Sequence, residues 1–334
     1  MQKRVTLQDI ADRLNITKVS VSKAINNQPG ISEELRKRIL SLAYETGYLK
    51  AGGNQMSKAD SFAFIVQHKF FLTENESFYS TIYYHLNSIC MANKKNLFLY
   101  VINPKDEENS ILQQINKGSI EGIFIAGEIK EAYLHMLVNI GIPMIFIDFN
   151  NPHFQNDCIL VDNFNISYYA TTYLIDRGHK KLGFIGNMFS SSNVLDRFYG
   201  FQKALLTYRL EYRDDWILSN YNPETGYHVL DFQIPGEMPT AFVCHCDMSA
   251  YFLIQKLNSL GVSVPEDISV ISFDNTALAQ TCNPPLTSVD ISKQEFAVLA
   301  FDMLNSRICH PKNDVRQVYI NTKICERDSV KALK

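Results

Sequence analysis

Near the amino end, Lys18, Val19, Ser20, Ser22, Lys23 and Asn26 fall on the outer face of a short segment whose apolar residues Val21, Ala24 and Ile25 recur at helical spacing. Two ammonium groups, two hydroxyls, an amide and one small apolar side chain can hold phosphates and touch base edges in a duplex groove. Farther along, Arg197, Asp274 and Asp148 fall at the ends of apolar runs or in polar loops. A guanidinium and carboxylates can divide donor and acceptor roles against vicinal hydroxyls, as in a sugar. Both are chemistries of recognition. The chain has no phosphate-binding glycine loop, no nucleophile elbow and no metal pair, and Gly183 with Gly186 is too sparse for a dinucleotide fingerprint. It is therefore expected not to be an enzyme and to need no cofactor. Cys244-His-Cys246 invites a zinc reading, but adjacent strand residues face opposite ways and no second ligand cluster follows, so no metal is expected.

The positioning elements follow from pattern and caps. Leu7, Ile10, Ala11 and Leu14 share one helical face, Thr6 with Asp9 reads as a capping box, and Thr17 caps the next helix after a short Asn15-Ile16 turn. A third helix is signalled by Ser32 as cap, Glu33 and Glu34 in the first turn, apolar Leu35, Ile39, Leu42 and Ala43, and Gly47 as stop. Three helices make a minimal core. The bare pattern also fits any small amphipathic helix pair with solvated lysines. Charge distribution favours nucleic acid, because residues 1–60 hold ten Lys or Arg against six Asp or Glu, whereas the remainder holds twenty-two against twenty-nine.

Beyond residue 60 the chain is longer than one core usually holds, so two subdomains are expected. Apolar runs at 62–66, 97–102, 122–126, 143–147 and 159–161 alternate with helical patterns such as 79–93 and 107–117. A second set at 182–185, 240–244, 269–273 and 286–289 is separated by helical stretches at 165–177, 194–208 and 248–260. Such alternation predicts an α/β body with two parallel sheets, each covered on both faces, and ligands at the carboxyl ends of the strands.

The segments Val5-Thr-Leu-Gln-Asp-Ile-Ala11 and Val19-Ser-Val-Ser-Lys-Ala-Ile-Asn26 resemble the DNA-binding head of the lac/gal repressor family. The resemblance continues through Arg177-Gly-His-Lys-Lys-Leu-Gly-Phe-Ile-Gly186, Arg197-Phe-Tyr-Gly-Phe201, Val264-Pro-Glu-Asp-Ile-Ser-Val-Ile-Ser-Phe-Asp274 and Pro284-Pro-Leu-Thr-Ser-Val289, in the family's order over nearly the whole chain. It implies a small all-α helix-turn-helix head at 1–49, a hinge or linker at 50–60, and an effector-binding and dimerisation body at 61–334 of periplasmic-binding-protein-like fold. Lobe one would span about 61–161 and 291–319, and lobe two about 163–289 and 321–330. The crossings would lie near 161–163, 289–291 and 319–321, and a tail helix at 292–309 would pack on the first lobe. It further implies a transcriptional regulator, repression being the commoner outcome, controlled by a small-molecule effector such as a sugar or sugar derivative. The partner would be a roughly palindromic double-stranded operator gripped by a homodimer. Lys18, Val19 and Lys23 would read bases, Thr6, Thr17, Ser20, Ser22 and Asn26 would hold phosphates, and Leu7 and Met56 join the implied DNA-contacting set. Phe78, Tyr79, Asp148, Arg197, Cys246 and Asp274 form the implied effector site. Local capping is the alternative for Asp148, and core packing for the two aromatics; Trp216 reads as packing.

Two departures from the family stand out. Cys246 occupies a position where the family usually has Asn, and a thiol hydrogen-bonds poorly. The linker around Gly52 and Gly53 is about three residues short, and each glycine opposes helix by about 1 kcal/mol, so a hinge helix with Met56 as wedge and a flexible tether both remain open. Seven scattered cysteines fit a reduced compartment, and the sequence shows neither an export signal nor a membrane-length apolar run, so a cytoplasmic location without membrane contact is expected. Those absences also weigh against an exported solute-binding protein. After Arg327 too little remains for a tetramer-forming heptad helix, leaving the dimer as the expected state.

Overall fold

The computed structural model of the protein describes residues 5–25, 30–46, 61–71, 78–103, 115, 120–222 and 229–333. Asn26, Gly47, Met56, the whole linker and nearly all of the 107–117 helical pattern lie outside the described residues. Contacts divide the chain into two units, Met1–Asp60 and Ser61–Lys334.

Among its described residues the first unit holds three helices, α1 (Leu7–Leu14), α2 (Lys18–Ile25) and α3 (Glu33–Glu45). Their shared core is Ile10, Ala11, Val21, Ala24, Ile39 and Ala43, with Leu7, Leu14, Ile25, Leu35 and Leu42 packed around it. Helix α1 begins with both halves of the capping box, Thr6 Oγ1 accepting from the Asp9 N–H at 3.3 Å and Asp9 Oδ2 from the Thr6 N–H at 2.7 Å. It ends at Asn15, whose left-handed φ of 52° turns the chain without a glycine.

The second unit is built from β1 (Ser61–Gln67), α4 (His68–Phe71), α5 (Phe78–Ala92), β2 (Asn96–Ile102), β3 (Ile120–Ala126), α6 (Glu131–Asn139), β4 (Met144–Ile147) and β5 (Asp157–Leu160), which make most of one sheet and its covers. A second series follows with α7 (Asn163–Asp176), β6 (Leu182–Ile185), α8 (Ser192–Thr207), β7 (Ile217–Leu218), β8 (Ala241–Cys244), α9 (Asp247–Ser259), β9 (Ser269–Asp274), α10 (Ala277–Thr281) and β10 (Thr287–Ile291). The chain then adds α11 (Lys293–Cys309), β11 (Gln317–Tyr319) and β12 (Thr322–Cys325).

Two six-stranded sheets result, ordered β11-β5-β4-β3-β1-β2 and β12-β10-β9-β8-β6-β7. Strand β1 shows why: Phe62, Phe64 and Val66 enter one buried cluster while Ala63 and Ile65 enter another, so period-two alternation buries both faces. Parallel pairing holds everywhere except at one edge, where β12 runs antiparallel to β10 with Val289 opposite Ile324. The expected parallel architecture thus holds, with one antiparallel edge, because a strand that arrives by a short link from the neighbouring sheet needs no crossover helix and can enter in either direction. The chain passes between sheets three times, after β5, after β10 and between β11 and β12. Helix α11 packs against α5, β3, β4 and β5, on the first sheet.

In both sheets the strand order reverses direction beside a central strand, at β1/β3 and at β6/β8. Such switch points leave crevices at the carboxyl ends of strands, where ligands settle in open α/β sheets.

Helices α7 and α8 pack tightly because Gly200 lets them. A Cβ at Gly200 would stand 2.1 Å from the Phe164 carbonyl oxygen and 2.9 Å from Ser167 Cβ. Replacing it by Ala therefore costs roughly 3 kcal/mol of overpacking, against about 1 kcal/mol gained in helix propensity. A clear fall in the urea midpoint of Gly200→Ala, with unchanged slope, is expected; a variant as stable as the parent would show that the two helices part easily.

Candidate functional site

Two regions gather recognition chemistry. In the three-helix unit, Lys18 and Val19 are exposed at the start of α2, while Ser20, Ser22 and Lys23 are half-buried and Leu7 packs against the core. Thr17 Oγ1 accepts from the Ser20 N–H at 3.1 Å and lies 2.9 Å from Ser20 Oγ. Thr6 and Thr17, expected at phosphates, thus also act as local caps, and Ser20 is the residue that Thr17 caps. The carboxyl end of α2 is secured by Arg36, which donates to the Ala24 carbonyl at 3.0 Å. Ser32 caps α3 by accepting from the Leu35 N–H at 3.3 Å.

In the two-sheet unit, one cavity of about 180 Å³ is lined by all six residues expected at the effector: Phe78, Tyr79, Asp148, Arg197, Cys246 and Asp274. They come from five separate elements or junctions. Phe78 and Tyr79 open α5, Asp148 follows β4, Arg197 lies in the second turn of α8, Cys246 precedes α9, and Asp274 ends β9. Asp148 and Asp274 have φ of 64° and 95°, left-handed values uncommon for non-glycine residues. Strained conformations of this kind persist where surrounding contacts over-determine them. Here Lys293 donates to the Asp274 carbonyl and, at 3.3 Å, to that of Asn275.

Arg197 is 6% exposed, and a buried guanidinium must find acceptors. Its Nε donates to Asn163 Oδ1 at 2.7 Å, Nη1 to the His245 carbonyl, and Nη2 to Asp274 Oδ1 at 3.4 Å, while the ring of Phe273 lies 4.7 Å away. Across the cavity, Asp148 Oδ2 accepts from the Tyr79 hydroxyl at 2.7 Å and from Asn193 Nδ2 at 2.9 Å. Its other oxygen, Oδ1, is buried and finds no hydrogen-bond partner among the described residues. Burial raises the Asp148 carboxyl to about 7, opposed by the Tyr79 hydrogen bond and by Arg197. Burial, then the Asp148 charge, also raises Tyr79.

Cys246 lines the cavity and serves a second purpose. Its Sγ accepts from the Ser249 N–H at 3.4 Å, making it the amino cap of α9, and lies 3.5 Å from His245 Nε2. A side chain engaged in that way is a weaker hydroxyl ligand than the amide usual at this position. His245 is buried and held down to about 4, by burial first and then by Arg197, so it is neutral near pH 7. Its Nδ1 faces the Ile185 carbonyl at 3.2 Å and must donate, which fixes the tautomer. Strand β8 ends at Cys244, so His245 and Cys246 sit in the turn that enters α9, and no group of three or more potential metal ligands occurs among the described residues. Trp216 is fully buried and donates to the Glu237 carbonyl at 2.8 Å.

Lys69, Asn193, His245 and Tyr221 also line the cavity, and sequence reasoning does not reach them. Asn193 closes the polar 190–193 loop and His245 sits between two cysteines, the signals that could have found them; Lys69 and Tyr221 offer none. Beneath the site, buried Asp247 accepts from Ser272, Ser288 and the Thr276 N–H and hydroxyl at 2.6–2.9 Å, fixing the turn after β9.

The raised Asp148 carboxyl carries a pH signature. Between about 4 and about 7 the folded chain keeps a proton there that the unfolded chain has released, so this group's stabilising contribution is full at low pH and is lost as pH rises to about 7. Asp148→Asn removes that dependence while keeping an acceptor for Tyr79 and Asn193. The stability of the variant relative to the parent should therefore rise between pH 4 and pH 7 in denaturant titrations; a difference independent of pH would contradict the assignment.

Comparison with known proteins places these features. Residues 6–50 match the model for bacterial regulatory proteins of the lacI family, and residues 171–330 match that for a periplasmic binding protein-like domain. The chain is 28% identical over 337 residues to the HTH-type transcriptional repressor PurR of Histophilus somni strain 129Pt, covering 98% of this chain and 99% of the relative. Among solved structures, a complex of the transcriptional regulator CelR with cellobiose aligns with a TM-score of 0.70 at 21% identity, over 98% of this chain and 100% of that one. The lac repressor dimer bound to operator and the anti-inducer ONPF aligns with a TM-score of 0.69 at 16% identity, over 99% and 100%. These two likenesses concern the fold. A lacI-type head, a binding-protein-like body and end-to-end similarity to a repressor of the same build together give the chain the domain pair of lacI-type bacterial regulatory proteins.

Proposed function

We propose that this DNA-binding regulator acts in the cytoplasm as a dimeric repressor whose grip on a roughly palindromic operator is set by a sugar or sugar derivative bound between the two sheets. The observation that carries the reading is the cavity itself: a buried guanidinium, two carboxylates and two aromatic side chains converge there, and one buried acceptor, Asp148 Oδ1, lacks a partner among the described residues. A hydroxyl donor from a ligand satisfies that oxygen, and the rings of Phe78 and Tyr79 offer apolar faces to carbon-bound hydrogens. The cellobiose held by CelR, which shares the fold, supports a sugar.

Control follows from which sheet supplies each group. Asp148 and Tyr79 belong to the first sheet and its covers, whereas Asn193, Arg197 and Asp274 belong to the second. Direct bonds already join these sides, Asn193 to Asp148 and Lys69 to the Ser190 carbonyl at 3.2 Å. A ligand touching both sides favours one relative setting of the lobes by its differential affinity. In the head, Lys18, Val19 and Lys23 read bases, and Thr6, Thr17, Ser20 and Ser22 hold phosphates. The head is taken as 1–49, the hinge as 50–60, and the lobes as 61–161 with 291–319 and 163–289 with 321–330.

The replacement of Lys18 and Lys23 together by Ala should weaken binding to a palindromic operator fragment by roughly 1–3 kcal/mol for each base-reading side chain removed, and flatten its salt dependence. Unchanged affinity and salt slope would return the head to a structural role. Arg197→Ala should retain operator binding in a mobility-shift titration while losing the response to sugar; a normal response would refute the effector assignment.

A further inference from the structure

We propose that the effector cleft continues outward into a second subsite beside Phe189, and that this subsite takes the uncharged second ring of a disaccharide whose first ring lies against Arg197 and Asp148. The inference rests on the sugar reading above and narrows it from sugars in general to two-ring sugars.

Three observations support it. First, an outer cavity of about 460 Å³ shares Lys69, Ser190 and Ser191 with the inner one, so the two adjoin along that wall, where Lys69 donates to the Ser190 carbonyl. The inner cavity, at about 180 Å³, is smaller than the roughly 300–1,000 Å³ usual for small-molecule sites; with the outer one the cleft falls inside that range.

Second, Phe189 is 93% exposed and yet held in an ordered turn. Its N–H donates to Asn187 Oδ1 at 3.0 Å, and Ser190 donates to the Asn187 carbonyl through N–H at 3.0 Å and Oγ at 2.7 Å. A single exposed apolar residue is ordinary. A ring carried by that turn at the mouth of a cavity that also presents Gln67 and Lys130 offers what a pyranose needs, an apolar face for its carbon-bound hydrogens and polar groups for its hydroxyls.

Third, the helix terminus bordering this subsite already holds an anion. The amino end of α8 opens on this subsite, and Glu128 from the first sheet already accepts there from the Ser192 N–H at 3.1 Å. That carboxylate takes the position where a helix terminus would otherwise welcome a phosphate, and Lys69 and Lys130 on the same lining balance its charge and offer donors to hydroxyls.

Isothermal titration of the full chain with glucose, cellobiose, maltose and sucrose tests the proposal. At least one disaccharide should bind about tenfold more tightly than glucose. Phe189→Ala, an exposed position, should weaken that disaccharide by roughly three- to tenfold and leave glucose within about twofold. If glucose binds as well as every disaccharide, or if Phe189→Ala changes both alike, the outer subsite is wrong while the inner site stands. If no sugar of either size binds, the sugar reading falls too.

Discussion

The burial of one guanidinium organises the cleft between the two sheets. Arg197 is fixed by Asn163 at the start of α7, by the His245 carbonyl after β8, and by Asp274 at the end of β9. A charge removed from water is tolerable only with such partners, so three elements of the second sheet must be in place before the cavity exists. Asp148 sets the opposite wall, and its hydrogen bond with Asn193 brings the two walls together. The remaining structure serves this meeting: both sheets reverse their strand order where the cleft forms, and tight α7–α8 packing at Gly200 settles the helix that carries Arg197.

Much of this is legible in the residues. Continuous apolar runs mark the central strands because both faces of each are buried, the edge strand β2 carries such a run with Phe98 exposed, and the caps at Thr6, Thr17 and Ser32 mark all three head helices. Strands β7, β11 and β12 leave little trace. They are only two to four residues long, and β11 is mostly exposed, so pairing partners rather than hydrophobic pattern define them. Helix α6 escapes a reading of the sequence for a related reason: Lys130 at its amino end makes no side-chain cap.

At the cleft, the six residues read through the family resemblance converge, but the network among them is not readable from their order. Asn193 and Lys69 matter because of what approaches them from the other sheet, and no local spacing encodes that approach. Cys246 illustrates the converse. Its departure from the family's amide is visible in the sequence, whereas its use as a helix cap depends on the turn that β8 makes into α9.

The exchange of β11 and β12 between the sheets sets an order on assembly. The first sheet's strand β5 waits for Gln317–Tyr319, supplied more than one hundred and fifty residues later, to cover its edge, and the second sheet's β10 waits for Thr322–Cys325. During synthesis from the amino end, neither half can complete its hydrogen bonding while the last stretch is still in the ribosome, so both halves are finished almost together. The lobes are thereby bound into one cooperative body, and a nascent chain halted before residue 317 presents two open sheet edges where the complete protein presents none at those positions.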